Sequence, residues 1–192
     1  AIVEEFCTNS PTITLGSSYK PEEKLAAEVA KSCNTKFKWI VAPHEVSEKR
    51  IAEIQAIFEP LICIRYSQAN KDIIRADVLI IDNVGMLSII YQYSQVALVG
   101  GGFGSKGLHN ILEALSMNNY VCIGPKHHQK FPEITEAIEN GVAKCILDAK
   151  DFEEYIKNTL ASIKSESINL QASKYIENNL GATEIILKSI EI

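Results

Sequence analysis

Residues 96–113 constrain the fold more than any other stretch of this chain: Val96-Ala-Leu-Val-Gly-Gly-Gly-Phe-Gly-Ser-Lys-Gly-Leu-His-Asn-Ile-Leu-Glu113. Four apolar residues read as a buried strand. They run into a glycine-rich turn, and a helical pattern follows that carries His109, Asn110 and Glu113 in its expected first turns. Glycines at a strand exit let a ligand approach the main chain, because no Cβ stands in the way. The free N–H groups and the positive dipole end of a following helix suit a phosphate or a carboxylate. A crevice of this kind, at the carboxyl ends of parallel strands, is where open α/β sheets bind ligands.

The rest of the chain repeats the alternation of short apolar runs with longer amphipathic ones. Strands are expected at residues 12–15, 37–42, 61–66, 76–81, 96–99 and 120–123, with residues 143–147 as a seventh or edge strand. Helices are expected at residues 21–33, 47–58 and 86–94, near 132–139, and then at 151–163, 165–180 and 182–190. Pro21 suits a first helical position, Glu22 and Glu23 complement the dipole behind it, and Ser47 reads as an N-cap. The strands are β-branched without clean alternation, the pattern of strands covered on both faces. Strands and helices in alternation imply a parallel sheet with right-handed crossovers. The expected fold is α/β, a Rossmann-like doubly wound parallel sheet forming one domain over residues 1–192.

Composition narrows the function classes. Apolar residues make up 46% of the chain and charged residues 22%, enough for a packed core. The net charge is -5, with no basic block, so nucleic acid is not an expected partner. No apolar run is long enough to cross a bilayer, and no signal peptide is visible. The chain opens on Ala1 rather than Met, as a processed chain or a piece of a longer protein would. The five cysteines, Cys7, Cys33, Cys63, Cys122 and Cys145, are widely spaced and read as free buried thiols in a reducing compartment, with Cys63, Cys122 and Cys145 inside apolar runs. They lack the paired spacing of a zinc site.

Gly102-Phe-Gly-Ser-Lys-Gly107 satisfies the dinucleotide pattern G-x-G-x-x-G, but its context argues against NAD. It follows four strands instead of opening the first βαβ unit, and no acid ends the next strand to take ribose hydroxyls. A P-loop fails too, since Gly107 stands where a Ser or Thr would hold magnesium. A nucleotide-sugar site fits better. Its phosphate needs backbone N–H groups, which the glycines and the helix start supply, and its ribose diol needs an acceptor, which Glu113 can be. The alternative for Glu113 is a simple first-turn acid that interacts with the helix dipole.

Three further loops follow strands. Gly124-Pro-Lys-His-His-Gln-Lys-Phe131 gathers Lys126, His127, His128 and Lys130 beside the glycine turn and suits an anionic group, or is a solvated basic loop. Asp82-Asn-Val-Gly-Met-Leu87 offers Asp82 or Asn83 as a helix cap and exposes the N–H groups of Val84 and Gly85. Pro43-His44-Glu45 places His44 either at a ligand or on an idle loop.

Taken in order, Gly16-Ser-Ser-Tyr-Lys-Pro-Glu-Glu23, Val41-Ala-Pro-His44, Ile81-Asp-Asn-Val-Gly-Met-Leu87, the 99–113 stretch and the 124–131 loop resemble the C-terminal, donor-binding half of the 3-deoxy-D-manno-octulosonic acid (Kdo) transferases of lipopolysaccharide biosynthesis. The resemblance runs from about Gly16 to Ile134. It implies one half of a GT-B glycosyltransferase, an inverting enzyme that transfers Kdo from CMP-Kdo to the lipid A precursor at the cytoplasmic face of the bacterial inner membrane, without a cofactor or metal. By motif match, Glu113 holds ribose. Gly101, Gly102 and the Leu108, His109, Asn110 helix start hold phosphate. His44, Gly124 and Pro125 sit near the nucleotide, with Asn83, Gly85 and His127 as further binding residues. Three departures stand out: Met86 replaces the family's glutamate, Tyr19 and Lys20 replace a Trp or His and a smaller residue, and Pro43-His44-Glu45 lacks the family's arginine. The resemblance also places the acidic general base, the acceptor site and the membrane-attaching surface in an N-terminal half outside this chain, so the domain is expected to bind donor without turnover. The alternatives are another GT-B nucleotide-sugar transferase or epimerase using a UDP-sugar, and a non-catalytic nucleotide-binding module.

Overall fold

The computed structural model describes residues 2–8, 10–33, 36–162 and 169–190. Its centre is a seven-stranded sheet in which every strand pair is parallel. The strands are β1 (Thr12–Ser18), β2 (Lys38–Pro43), β3 (Cys63–Arg65), β4 (Val78–Ile80), β5 (Val96–Val99), β6 (Tyr120–Ile123) and β7 (Ala143–Cys145). They lie in the order β3-β4-β2-β1-β5-β6-β7. From β1 the chain winds outward through β2 toward β3 and β4. It then crosses back to β5 and winds the other way. The reversal falls between β1 and β5, the switch point at which α/β sheets open a crevice.

The helices are α1 (Ile2–Cys7), α2 (Lys20–Ser32), α3 (Glu48–Phe58), α4 (Leu87–Ile90), α5 (Leu112–Ser116), α6 (Pro132–Glu139), α7 (Ala149–Ser162), α8 (Asn169–Asn178) and α9 (Ala182–Ile190). Alternate strand residues feed opposite layers, as the pleat requires. Ile13, Leu15, Trp39, Val41, Val96 and Leu98 pack with Val29 of α2, Ile54 and Phe58 of α3, and Phe152 and Ile156 of α7. On the other face, Ala97, Val99, Val121 and Ile123 pack against α5 and α6, with Ala172 and Tyr175 of α8. Ile40, Leu79 and Ile81 cover a third cluster with Val3 and Phe6 of α1. The doubly wound α/β fold expected from the sequence is therefore the one observed.

Element boundaries differ where local contacts override pattern. The strand read at 12–15 runs on to Ser18, because β1 continues its ladder with β2 through a register shift at Gly16/Ser18. The strand read at 61–66 shrinks to three residues at the sheet edge. The helix read at 86–94 divides into α4 and a 3-10 turn, Tyr91–Tyr93. Helix α1 has no counterpart in the sequence reading. The end expected at residue 163 and the start expected at 165 lie outside the described residues. All five cysteines are free, but only Cys122 is fully buried; Cys63 and Cys145, read as buried, are partly exposed because their strands lie at or next to the sheet edges.

Candidate functional site at the switch point

Three strand exits meet at the carboxyl edge of the sheet. At the end of β1, Ser17 adopts a left-handed φ of 49°, beside the register shift that re-aims the chain. For a residue with a Cβ, such a conformation is strained and is characteristic of functional loops. Gly16 packs its α-carbon on the buried Tyr91 ring; an ideal Cβ there would stand 1.8 Å from the Tyr91 hydroxyl oxygen. At the end of β5, the glycine turn folds tightly on itself. Gly101 has φ +94°, and a Cβ on it would stand 1.8 Å from the Gly107 carbonyl oxygen. A Cβ on Gly102 would stand 2.5 Å from the Gly124 nitrogen, so the exits of β5 and β6 touch backbone to backbone. The Lys126 N–H donates to the Gly102 carbonyl at 2.8 Å, and His127 Nε2 lies 3.2 Å from the Gly104 carbonyl oxygen.

A buried carboxylate organises this turn. Glu22, in the first turn of α2, is 0% exposed. Its Oε1 accepts the N–H groups of Gly101 at 3.0 Å and Phe103 at 3.2 Å, and its Oε2 accepts that of Tyr19 at 3.2 Å. The Gly101 N–H, expected to face a phosphate, is thus taken by the protein's own acid. Gly102, Leu108 and Asn110 keep backbone N–H groups without a protein partner among the described residues. These three donors remain for an anion.

The residues expected to start a helix do so late. Leu108, His109 and Asn110 form an irregular approach, and α5 begins at Leu112. The cause is local. The His109 N–H is drawn to the Gly100 carbonyl at 3.1 Å, and the Asn110 side chain accepts from the Leu112 N–H at 2.9 Å. Asparagine competing with the backbone in this way favours a turn over a helix interior. Glu113 stays in the first turn of α5, its side chain exposed. It lies close enough to Tyr91 that burial and the Glu113 charge together hold the Tyr91 hydroxyl above the usual tyrosine range.

The exits of β1, β2 and β4 border a cleft of about 160 Å³ lined by Ser17, Pro43, His44, Asn83, Gly85 and Leu87, among others. Neither residue offered as a cap of α4 caps it. Asp82 accepts the backbone and hydroxyl protons of Ser67, and the Asn83 side-chain amide donates to Met86 Sδ at 2.8 Å. The N-cap position is Met86. His44 bridges this cleft and the glycine turn. Its backbone N–H donates to the Ser18 carbonyl at 3.0 Å, and its ring lies 4.6 Å from that of His109. Burial, and then His44, hold His109 below the usual histidine range. Each imidazole carries a ring N–H that can donate to an anion placed between them.

No family model matches the chain. It is 29% identical over 124 residues to a Kdo transferase of Rickettsia prowazekii, covering 65% of this chain and 26% of that protein. It is 27% identical over 177 residues to the Kdo transferase of Chlamydia muridarum, covering 89% of this chain and 40% of the relative. Among solved structures, the C-terminal CMP-Kdo binding domain of WaaA from Acinetobacter baumannii matches with a TM-score of 0.78 at 27% identity, over 90% of this chain and 92% of that domain. The chain is similar to the Kdo transferases. It spans between a quarter and a half of the curated relatives' length, as the 26% and 40% covered indicate.

Within this chain, similar to the Kdo transferases, the fold brings the candidate residues to one edge in two groups. His44, Asn83 and Gly85 line the cleft, while Gly101, Gly102, Leu108, Gly124, Pro125 and His127 gather at the exits of β5 and β6. His109 joins the groups through its tilted ring contact with His44. Glu113 stands on the Tyr91 side of the switch point, without a direct contact to the others. Sequence reasoning missed Ser17 and saw only part of the task of Glu22, which is the first-turn acid expected and also pins the glycine turn. The only sign of Ser17 was the Gly16-Ser-Ser-Tyr turn, and Glu22 resembled any first-turn acid. Among the described residues no cluster of His, Cys, Asp or Glu could hold a metal, and no helix is long and apolar enough to cross a membrane.

Proposed function

We propose that residues 1–192 are the donor-binding domain of a GT-B Kdo transferase and grip the CMP portion of CMP-Kdo at the switch point. The N–H groups of Gly102, Leu108 and Asn110 meet the phosphate, with His109 and His44 beside them. Glu113 accepts from the ribose diol. Gly124, Pro125 and His127 wall the nucleotide on one side, and Asn83 and Gly85 on the other. Gly101 acts indirectly, as the point where Glu22 pins the turn. In the whole enzyme the acceptor is the lipid A precursor at the cytoplasmic face of the inner membrane. The general base belongs to the N-terminal half of such an enzyme, outside residues 1–192, so these residues alone bind donor and do not transfer sugar, because base catalysis needs a carboxylate in reach of the acceptor hydroxyl.

The observation that carries this reading is the set of unpartnered backbone donors beside two facing imidazoles at the β1/β5 reversal. Calorimetry tests it. CMP should bind more tightly than UMP, and NAD should give no heat. Glu113→Ala should weaken CMP about tenfold, the loss of one charge-assisted hydrogen bond of ~1.5 kcal/mol. Equal binding of CMP by wild type and Glu113→Ala would remove the ribose assignment.

A further inference from the structure

Tyr19 takes no part in the scheme above, yet it stands at the centre of the ring cluster. It precedes α2 as its N-cap, with its ring 5.0 Å from that of His44 and 5.7 Å from that of His109. Its hydroxyl lies 3.0 Å from His109 Nε2. The other anchor of His109 is its backbone N–H, bonded to Gly100. A neutral imidazole has one donor and one acceptor nitrogen, and the partner of one nitrogen decides which the other becomes. A tyrosine hydroxyl that donates into Nε2 leaves the proton on Nδ1. His109 is the ring for which this choice matters, because burial and His44 disfavour its charged form. Tyr19 itself is held in its protonated form by burial and by Glu22 behind it. The titratable groups around His109 are therefore His44 from the β2 exit, and Tyr19 and Glu22 from the start of α2.

We propose that Tyr19 is a positioning residue: it donates to His109 Nε2 and so makes Nδ1–H the hydrogen-bond donor offered to an anionic ligand group. The proposal rests on the reading that this site takes the CMP phosphate. It assigns a task to a residue whose type departs from the Trp or His that the resemblance leads one to expect.

Long-range 1H–15N spectra of the histidine rings, recorded without ligand at pH 7.5, together with CMP titrations between pH 5.5 and 8, test it on wild type and Tyr19→Phe. Wild-type His109 should carry its proton on Nδ1, and Tyr19→Phe should move it toward Nε2. CMP should bind Tyr19→Phe about tenfold more weakly at pH 7.5. That gap should close at low pH, where the imidazolium donates from both nitrogens; a loss of packing alone would leave the gap constant. A wild-type His109 protonated on Nε2, or a gap that does not change with pH, would overturn the proposal. Failure of both proteins to bind CMP would strike the donor reading instead, with the ring spectra still deciding what Tyr19 does to His109.

Discussion

The sharpest lesson at the residue scale concerns Glu22. Read along the chain, an acid after Lys20-Pro21 belongs to the helix dipole, and nothing local distinguishes it from an exposed first-turn acid. Its partners arrive 79 and 81 residues later, when β5 delivers the glycine turn beside α2. Removing the side chain leaves three main-chain N–H groups, of Gly101, Phe103 and Tyr19, without that acceptor in a largely buried place. Glu22→Ala should therefore cost about 3 kcal/mol in chemical denaturation and speed amide exchange at Gly101 and Phe103. A second residue-scale effect follows from His109. Its folded pKa lies below the ordinary histidine value of 6.5. The unfolded chain thus binds the proton more readily, and the contribution of His109 to stability is complete above that value and lost as pH falls through its lowered folded pKa. The thermal midpoint of wild type should accordingly fall more steeply than that of His109→Gln on going from pH 7.5 to 5. Parallel curves would show that His109 is not perturbed.

At the scale of elements, buried strands were legible and edges were not. The centres of β1, β2, β5 and β6 are runs of β-branched and apolar residues covered on both faces, and that signal needs no partner to be read. Helix α1 escaped notice because six residues with two buried side chains show no period. Helix α5 was placed too early because the pull of Gly100 and the Asn110 side chain on the main chain is a tertiary and turn effect, invisible to periodicity. The pairing of α2 with α3 was equally hidden. Glu23 is 0% exposed and accepts from the Ser18 hydroxyl at 2.8 Å and from the Arg50 guanidinium of α3. Burial pushes the Glu23 carboxyl up, while Arg50 and Ser18 oppose it. Breaking such a pair from one side strands a charge. Arg50→Ala should destabilise by about 3–5 kcal/mol, whereas Arg50→Met with Glu23→Leu should recover much of the loss. Additive losses in that cycle would mean the two helices are not coupled through this pair.

At the scale of the molecule, the chain order explains why the site was half legible. Each binding loop carries its own signal, glycines or a histidine after an apolar run, so His44, Gly102 and Gly124 could be picked out singly. Their assembly depends on strand order, since only the placement of β5 next to β1 brings residue 17 to residue 100 and residue 44 to residue 109. The fold also divides the labour among the glycines: Gly101 and Gly102 permit backbone contact between loops, while the Gly102 N–H itself keeps no protein partner among the described residues. The central claim is that these strand exits together hold a cytidine monophosphate. Backbone amide shifts of the 15N-labelled domain during titration with CMP test that most directly. The largest shifts should fall on Gly102, Leu108 and Asn110, with smaller ones at His44, Gly85 and Glu113. Shifts confined to another surface, or a spectrum that CMP leaves unchanged, would contradict it.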